Sequence, residues 1–71
     1  MNIVSIRTDY ITLGQFLKLA GVIDTGGMAK AFLEEVPIQV NGVADNRRGR
    51  KLYPEDRVEI EGFGTYQVTR E

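Results

Sequence analysis

The chain has no cysteine, no histidine and no tryptophan, and only two prolines among its 71 residues. Without thiols there is neither a disulfide framework nor a thiolate zinc site. Without imidazole, the usual metal ligand is missing, and so is the one side chain whose unperturbed pKa lies near neutrality. No apolar run approaches the roughly 18–20 residues that cross a bilayer, and the N-terminus carries no apolar signal segment. These absences point to a soluble, cytoplasmic protein with no membrane partner and no metal or other cofactor. Net charge is nearly absent too, at −1. An apolar fraction of 42% with 27% charged residues is ordinary for a folded domain and argues against disorder. A single domain over 1–71 buries only about 60% of its unfolded surface, so its elements must be short and well capped.

The charge that is present is unevenly placed. Arg47, Arg48, Arg50 and Lys51 hold four of the nine cations within five positions. The segments on either side are acidic, with net charges of −2 over 1–46 and −3 over 52–71. Packed like charges repel, and only Asp45 stands close by in sequence. Surface ion pairs with it or with Glu55 and Glu59 gain about 0.2–1 kcal/mol each. That is too little to account for three arginines, whose planar forks match phosphate bidentately. A solvated loop is the plain alternative. The reading adopted is a cationic patch held outward, unneutralised by the chain's own carboxylates and suited to a polyanion.

Hydrophobic periodicity places this patch on a frame. Met1 to Arg7 reads as a first strand, with Ile3, Val4 and Ile6 apolar. Ile11 to Gly21 reads as a helix. Thr12 and Gln15 form a capping box, Ile11 can staple onto Phe16, and Gly21 supplies a left-handed end. Leu13, Phe16, Leu17 and Ala20 share one face. A second helix is expected from Thr25, capped by it or by Asp24, to about Glu35, with Ala29, Phe32, Leu33 and Val36 apolar. Pro37 ends it. From Ile38 the period becomes that of a strand, and Asn41-Gly42 is a hairpin signal. After the basic loop, Leu52 to Asp56 reads as a turn and Arg57 to Glu61 as a strand. Gly62-Phe63-Gly64 then turns into a final strand, Thr65 to Thr69. The expected fold class is α+β, a two-helix hairpin packed on a small antiparallel sheet.

Other residues could extend the interface. Thr25, Gly26 and Gly27 at the start of the second helix could let a phosphate approach the backbone, and Lys30 could add charge one turn on. The alternative is a tight cap and close helix packing. Gln15 and Lys18 lie on the solvent face of the first helix. Asn41 is first of all a turn residue and only then a contact. Tyr53, Phe63 and Tyr66 could stack on bases, but in so small a domain they are expected in the core or on the sheet face. Glu34 and Glu35 are adjacent on a helix and point about 100° apart, so they do not share acid–base work. Gly21 and Gly26 do not open a P-loop, because the Gly-Lys-Ser/Thr ending is absent. No catalytic residue, nucleotide site or small-molecule substrate is expected.

The ordered set Leu13-Gly14-Gln15-Phe16-Leu17-Lys18-Leu19-Ala20-Gly21, Thr25, Ala29-Lys30, Leu33-Glu34-Glu35 and Ile38-Gln39-Val40-Asn41-Gly42 resembles the S-four RNA-binding domain, or alpha-L motif. The likeness spans about residues 12–61. With Asp45 to Leu52 and Glu61 to Gly64 it extends to the short stand-alone bacterial members, the YaaA-like proteins. The resemblance implies binding of structured RNA, often ribosomal RNA or a ribosomal subunit, through the helical pair and the adjoining hairpin. The chain departs from the pattern at Thr12, Thr25-Gly26, Val36 and Pro54-Glu55-Asp56, where the family has Arg, Ser-Arg, Gly and Pro-Gly-Asp. The two lost arginines shift weight onto the basic loop. The rival reading is a protein-interaction module docking an acidic protein surface.

Overall fold

The first helix is shorter than the expected Ile11 to Gly21, with Ile11 and Thr12 in a strand, but its N-cap is the residue expected. In the computed structural model, which describes residues 1–71, α1 spans Leu13–Leu19 and Thr12 is its N-cap. The Thr12 hydroxyl accepts from the Gln15 amide at 3.4 Å, and Gln15 Oε1 accepts from the Thr12 amide at 3.1 Å. Both halves of the capping box are therefore made. At the other end Gly21 takes φ +77°. Its amide donates to the Lys18 carbonyl at 3.0 Å, and the Val22 amide donates to Leu17 at 3.0 Å. This paired reversal is a Schellman ending, which a left-handed glycine permits at little steric cost.

The second helix is shorter than its apolar spacing suggests. Gly26–Met28 form a 3₁₀ turn, and α2 runs only over Ala29–Glu35. Thr25 precedes the 3₁₀ turn, but its side chain makes no capping bond. Glycine loses the most backbone freedom in a helix, so the Gly26-Gly27 pair resists α geometry where alanine would accept it. At the far end Val36 is extended, at φ −109° and ψ 120°, as a residue before proline must be.

Five strands make the main sheet, in the order β1 (Asn2–Ile6), β7 (Gly64–Arg70), β6 (Arg57–Ile60), β3 (Ile38–Val40), β4 (Val43–Ala44). The β3–β4 hairpin turns on Asn41 and Gly42, at φ 52° and 83°. Two positive φ values in a two-residue loop are the type I′ signature. The sheet is mixed, where an antiparallel one was expected, because β1 pairs parallel to β7. The expectation rested on chain neighbours joined by hairpins, whereas this pairing joins the two ends of the chain. A second ribbon also forms, between β2 (Ile11–Thr12) and β5 (Lys51–Leu52). It turns the stretch just after the basic loop into a strand and ties that loop to the start of α1.

One cluster of 15 buried residues joins the layers. Leu13, Phe16 and Leu17 of α1 and Ala29 and Leu33 of α2 share it with Val4, Ile6, Val40, Val58, Ile60, Tyr66 and Val68 of the sheet. Phe16 meets Tyr66 edge to face, at 5.9 Å between ring centres. Alternation along β6 and β7 sends the same apolar set inward and leaves Glu59 and Arg57 outside.

The turn leading into β6 holds a strained residue. The Asp56 amide donates to the Tyr53 carbonyl at 3.0 Å across Pro54 and Glu55, and Glu55 has φ +80°. Pro at the second position and positive φ at the third is the type II pattern, which favours glycine. Glu55→Gly should therefore raise the melting temperature, by up to about 1 kcal/mol of stability. Glu55→Val should lower it, because a β-branched side chain tolerates that conformation least. Thermal unfolding of the three proteins, followed by circular dichroism, should rank Gly above Glu above Val.

Candidate nucleic-acid interface

The basic loop is built around a carboxylate. Asp45 leaves β4 with its side chain only 7% exposed. One of its oxygens, Oδ1, accepts from the Arg47 amide at 3.0 Å and from Arg47 Nε at 3.1 Å. The other, Oδ2, accepts from Arg47 Nη2 at 2.9 Å and from Arg50 Nη1 at 2.7 Å. The Arg50 amide closes a turn onto the Arg47 carbonyl at 3.1 Å. The Arg47 guanidinium chiefly holds the Asp45 carboxyl well below the usual carboxylate range, burial opposes it, and the Arg47 amide and Arg50 add to the lowering. The expectation of a cluster unneutralised by its own carboxylates is corrected here. Hydrogen bonds and attraction from the two flanking guanidinium groups are what make the largely covered carboxylate favourable between them.

The loop is also fastened to the helix. The Leu13 amide donates to the Arg50 carbonyl at 2.8 Å and the Gly14 amide to the Arg48 carbonyl at 2.9 Å. With Thr12 holding the Gln15 amide, the first turn of α1 has its orphan donors filled from within the protein. Gly14 is buried against Arg48. A Cβ there would lie 2.7 Å from Arg48 Cγ, closer than carbon atoms approach. The glycine is thus the gap through which the loop reaches the helix.

The four loop cations take different roles. Arg50 is largely covered, with 28% of its side chain exposed, and Arg47 is 71% exposed although paired. A guanidinium has five N–H donors, so Arg47 keeps some for a ligand. Arg48 and Lys51 have no carboxylate partner among the ion pairs, which otherwise join Arg7 to Glu71 and Arg70 to Asp9. Lys51 lies over the Tyr10 ring, its Nζ 4.9 Å from the centre.

Two open depressions meet at Gly49. One, of about 490 Å³, is lined by Thr12, Gly14, Gln15, Lys18, Gly26, Arg48 and Gly49. The other, of about 630 Å³, is lined by Arg47, Gly49, Arg50, Lys51, Tyr53 and Asp56. The structure thus brings Gln15, Lys18, Gly26 and Arg48 together, and joins them through Gly49 to Arg47, Arg50 and Lys51. Thr25, Gly27 and Lys30 line neither depression. Asn41 is already engaged: its Nδ2 donates to Asp56 Oδ1 at 3.1 Å, and its Oδ1 accepts from the Arg57 amide at 2.9 Å.

Four of the glutamates lie elsewhere. Glu34 and Glu35 line a hollow beside β3, Glu59 and Glu61 another near Phe63, and neither hollow contains a lysine or arginine. Of Tyr53, Phe63 and Tyr66, all expected in the core or on the sheet face, Tyr66 is buried, and Tyr53 and Phe63 are about half exposed. Sequence reading passed over Asp45 as an organising group, although an Asp two residues before an Arg is a local signal for an Asx-type turn.

The family model described as S4 domain matches residues 4–69, a span that takes in both helices, the main sheet and the cationic loop. The chain belongs to the S4 domain family. It is 67% identical over 67 residues to a Bacillus subtilis (strain 168) protein named "Probable ribosome maturation protein RlbA", covering 94% of each chain.

Two outcomes follow from the way the loop is held. Asp45 has its pKa lowered in the fold, so the stability it contributes is present above its unfolded value near 3.8 and is lost as pH falls towards the folded value. Asp45→Asn should lower the melting temperature by several degrees at neutral pH. It should also flatten the loss of stability that the parent shows between pH 4 and pH 2, roughly the window that linkage assigns. Gly14→Ala gains helix propensity but sets a methyl against Arg48, an overpacking cost of about 1–3 kcal/mol. A lower melting temperature is expected, with chemical-shift changes at Arg48 and Gly49 in an amide NMR spectrum.

Proposed function

We propose that this protein is an RNA-binding module that grips ribosomal RNA during ribosome maturation. The observation that carries the reading is the pair of cation-lined depressions sharing Gly49, on a loop that Asp45 and the first turn of α1 hold rigid. Membership of the S4 domain family and the name of the Bacillus relative supply the ligand class. The two short helices are read as the family's alpha-L pair, with Lys18 and Gln15 on the face turned to the loop.

In this reading Arg48 and Lys18 seat one phosphate, and Arg47 with Lys51 seats the next along the strand. Gly26 leaves room for the first, since a Cβ there would meet nothing within 4 Å. Thr25, Gly27 and Lys30 sit beyond that depression and contribute at most long-range field. Asn41 acts by fixing the hairpin tip. The preference is for RNA shape, because phosphate contacts position a protein without reading bases. A prearranged set of donors binds without the entropy cost of ordering long side chains. The protein works by binding and positioning rather than by covalent chemistry.

About four phosphate contacts imply that log K falls against log salt with a slope near −3. Fluorescence anisotropy with a ribosomal RNA fragment checks this, and a flat salt response would refute it. Lys18→Gln with Arg48→Gln should weaken binding at least tenfold and change the melting temperature little, both residues being exposed and the uncharged side chains keeping the methylenes that pack. In a sucrose gradient of cell lysate the protein should travel with subunit-sized particles and leave them after ribonuclease treatment. Protein partners that survive the nuclease would favour docking on an acidic protein surface instead.

A further inference from the structure

We infer that Tyr53, backed by Tyr10, is a stacking platform for an unpaired nucleobase at the end of the cationic track. The inference rests on the RNA-binding reading above and names a subsite within it. Tyr10 and Tyr53 are 40% and 48% exposed, with ring centres 5.9 Å apart and planes at 45°. Tyr53 lines the same depression as Arg47, Arg50 and Lys51. The cation of Lys51 covers the Tyr10 face at 4.9 Å, which leaves Tyr53 as the ring open to a ligand.

The backbone beneath that ring is fixed. The Tyr53 amide donates to Asp56 Oδ2 at 2.8 Å, its carbonyl accepts from the Asp56 amide at 3.0 Å, and Pro54 follows. An aromatic on a rigid turn beside phosphate-binding cations is the recurring arrangement for holding single strands, because every base has a π-face. The other exposed aromatic contact fails the same test. Phe63 packs on Phe32 at 5.6 Å, but it lines the hollow that holds Glu59 and Glu61, whose charge repels a phosphate chain. Only the tyrosine pair combines an open ring, fixed backbone and adjacent cations.

The test uses the full chain and two RNA hairpins, one blunt and one with a short unpaired flank carrying 2-aminopurine. The flanked hairpin should bind about tenfold tighter, with quenching of the 2-aminopurine. Tyr53→Leu should remove that preference while leaving blunt-hairpin affinity unchanged, and Tyr53→Phe should keep it. A flank of deoxynucleotides should be preferred equally. Equal affinity for blunt and flanked hairpins, or equal losses on both in Tyr53→Leu, would overturn the platform and leave RNA binding standing. Loss of the preference with the DNA flank would also overturn it, moving the contact to the 2′-hydroxyl. Failure of the parent protein to bind either hairpin would overturn the RNA reading and the platform together.

Discussion

The Asp45 carboxylate is the point on which the surface of this domain turns. Four cations within five residues would spread apart in water, each taking its own rotamers and its own hydration. A single carboxylate, covered by the loop it organises, takes two donors from Arg47's side chain, one from Arg47's backbone and one from Arg50. It thereby fixes where the chain bends, and the carbonyls of Arg48 and Arg50 are left facing the free amides at the start of α1. The loop caps the helix and the helix holds the loop. Neither could keep its geometry as an isolated peptide, since a helix of seven residues is marginal alone.

Burying one negative charge in a positive patch does not cancel the patch. The four cations and Asp45 still sum to a positive cluster, and the carboxylate oxygens face inward with their acceptor sites filled. What changes is order. Arg50 becomes part of the frame, Arg47 is aimed, and Arg48 is laid along the helix by the missing side chain of Gly14. Lys18 reaches the same depression from the helix. Charge that composition spreads over the whole chain as a net −1 is thus sorted in space, with glutamates lining hollows that contain no cation.

The features legible in the sequence are those whose partners lie within a few residues. The Thr12–Gln15 capping box, the Gly21 reversal, the Asn41-Gly42 hairpin and the proline stop after α2 all appear as read, because each is decided by local backbone chemistry. The cation cluster was legible by its density alone. What escaped was set by long-range pairing: the parallel union of the two chain ends, the ribbon joining Ile11 to Leu52, and the carbonyls of Arg48 and Arg50 meeting α1. The 3₁₀ turn at Gly26 was missed for a different reason. Apolar spacing reports which face is buried and is silent on whether glycines will accept α geometry. Tyr53, expected in the core or on the sheet face, stands half exposed on a turn, and Phe16 and Tyr66 supply the aromatics of the core.

The second acid near the cations obeys the same logic as the first. Asp56 lines the depression that holds Arg47 and Lys51, a position where a bare carboxylate would repel a phosphate chain. Its two oxygens are committed elsewhere, one to Asn41 across the sheet and the other to the Tyr53 amide. Asn41 in turn accepts from the Arg57 amide, so the hairpin tip and the turn that carries the Tyr53 backbone are tied together. Both carboxylates at this surface therefore accept hydrogen bonds from the backbone and side chains that shape it. The four cations of the loop still outnumber these two acids, so the surface they share stays positive while the acids set its shape.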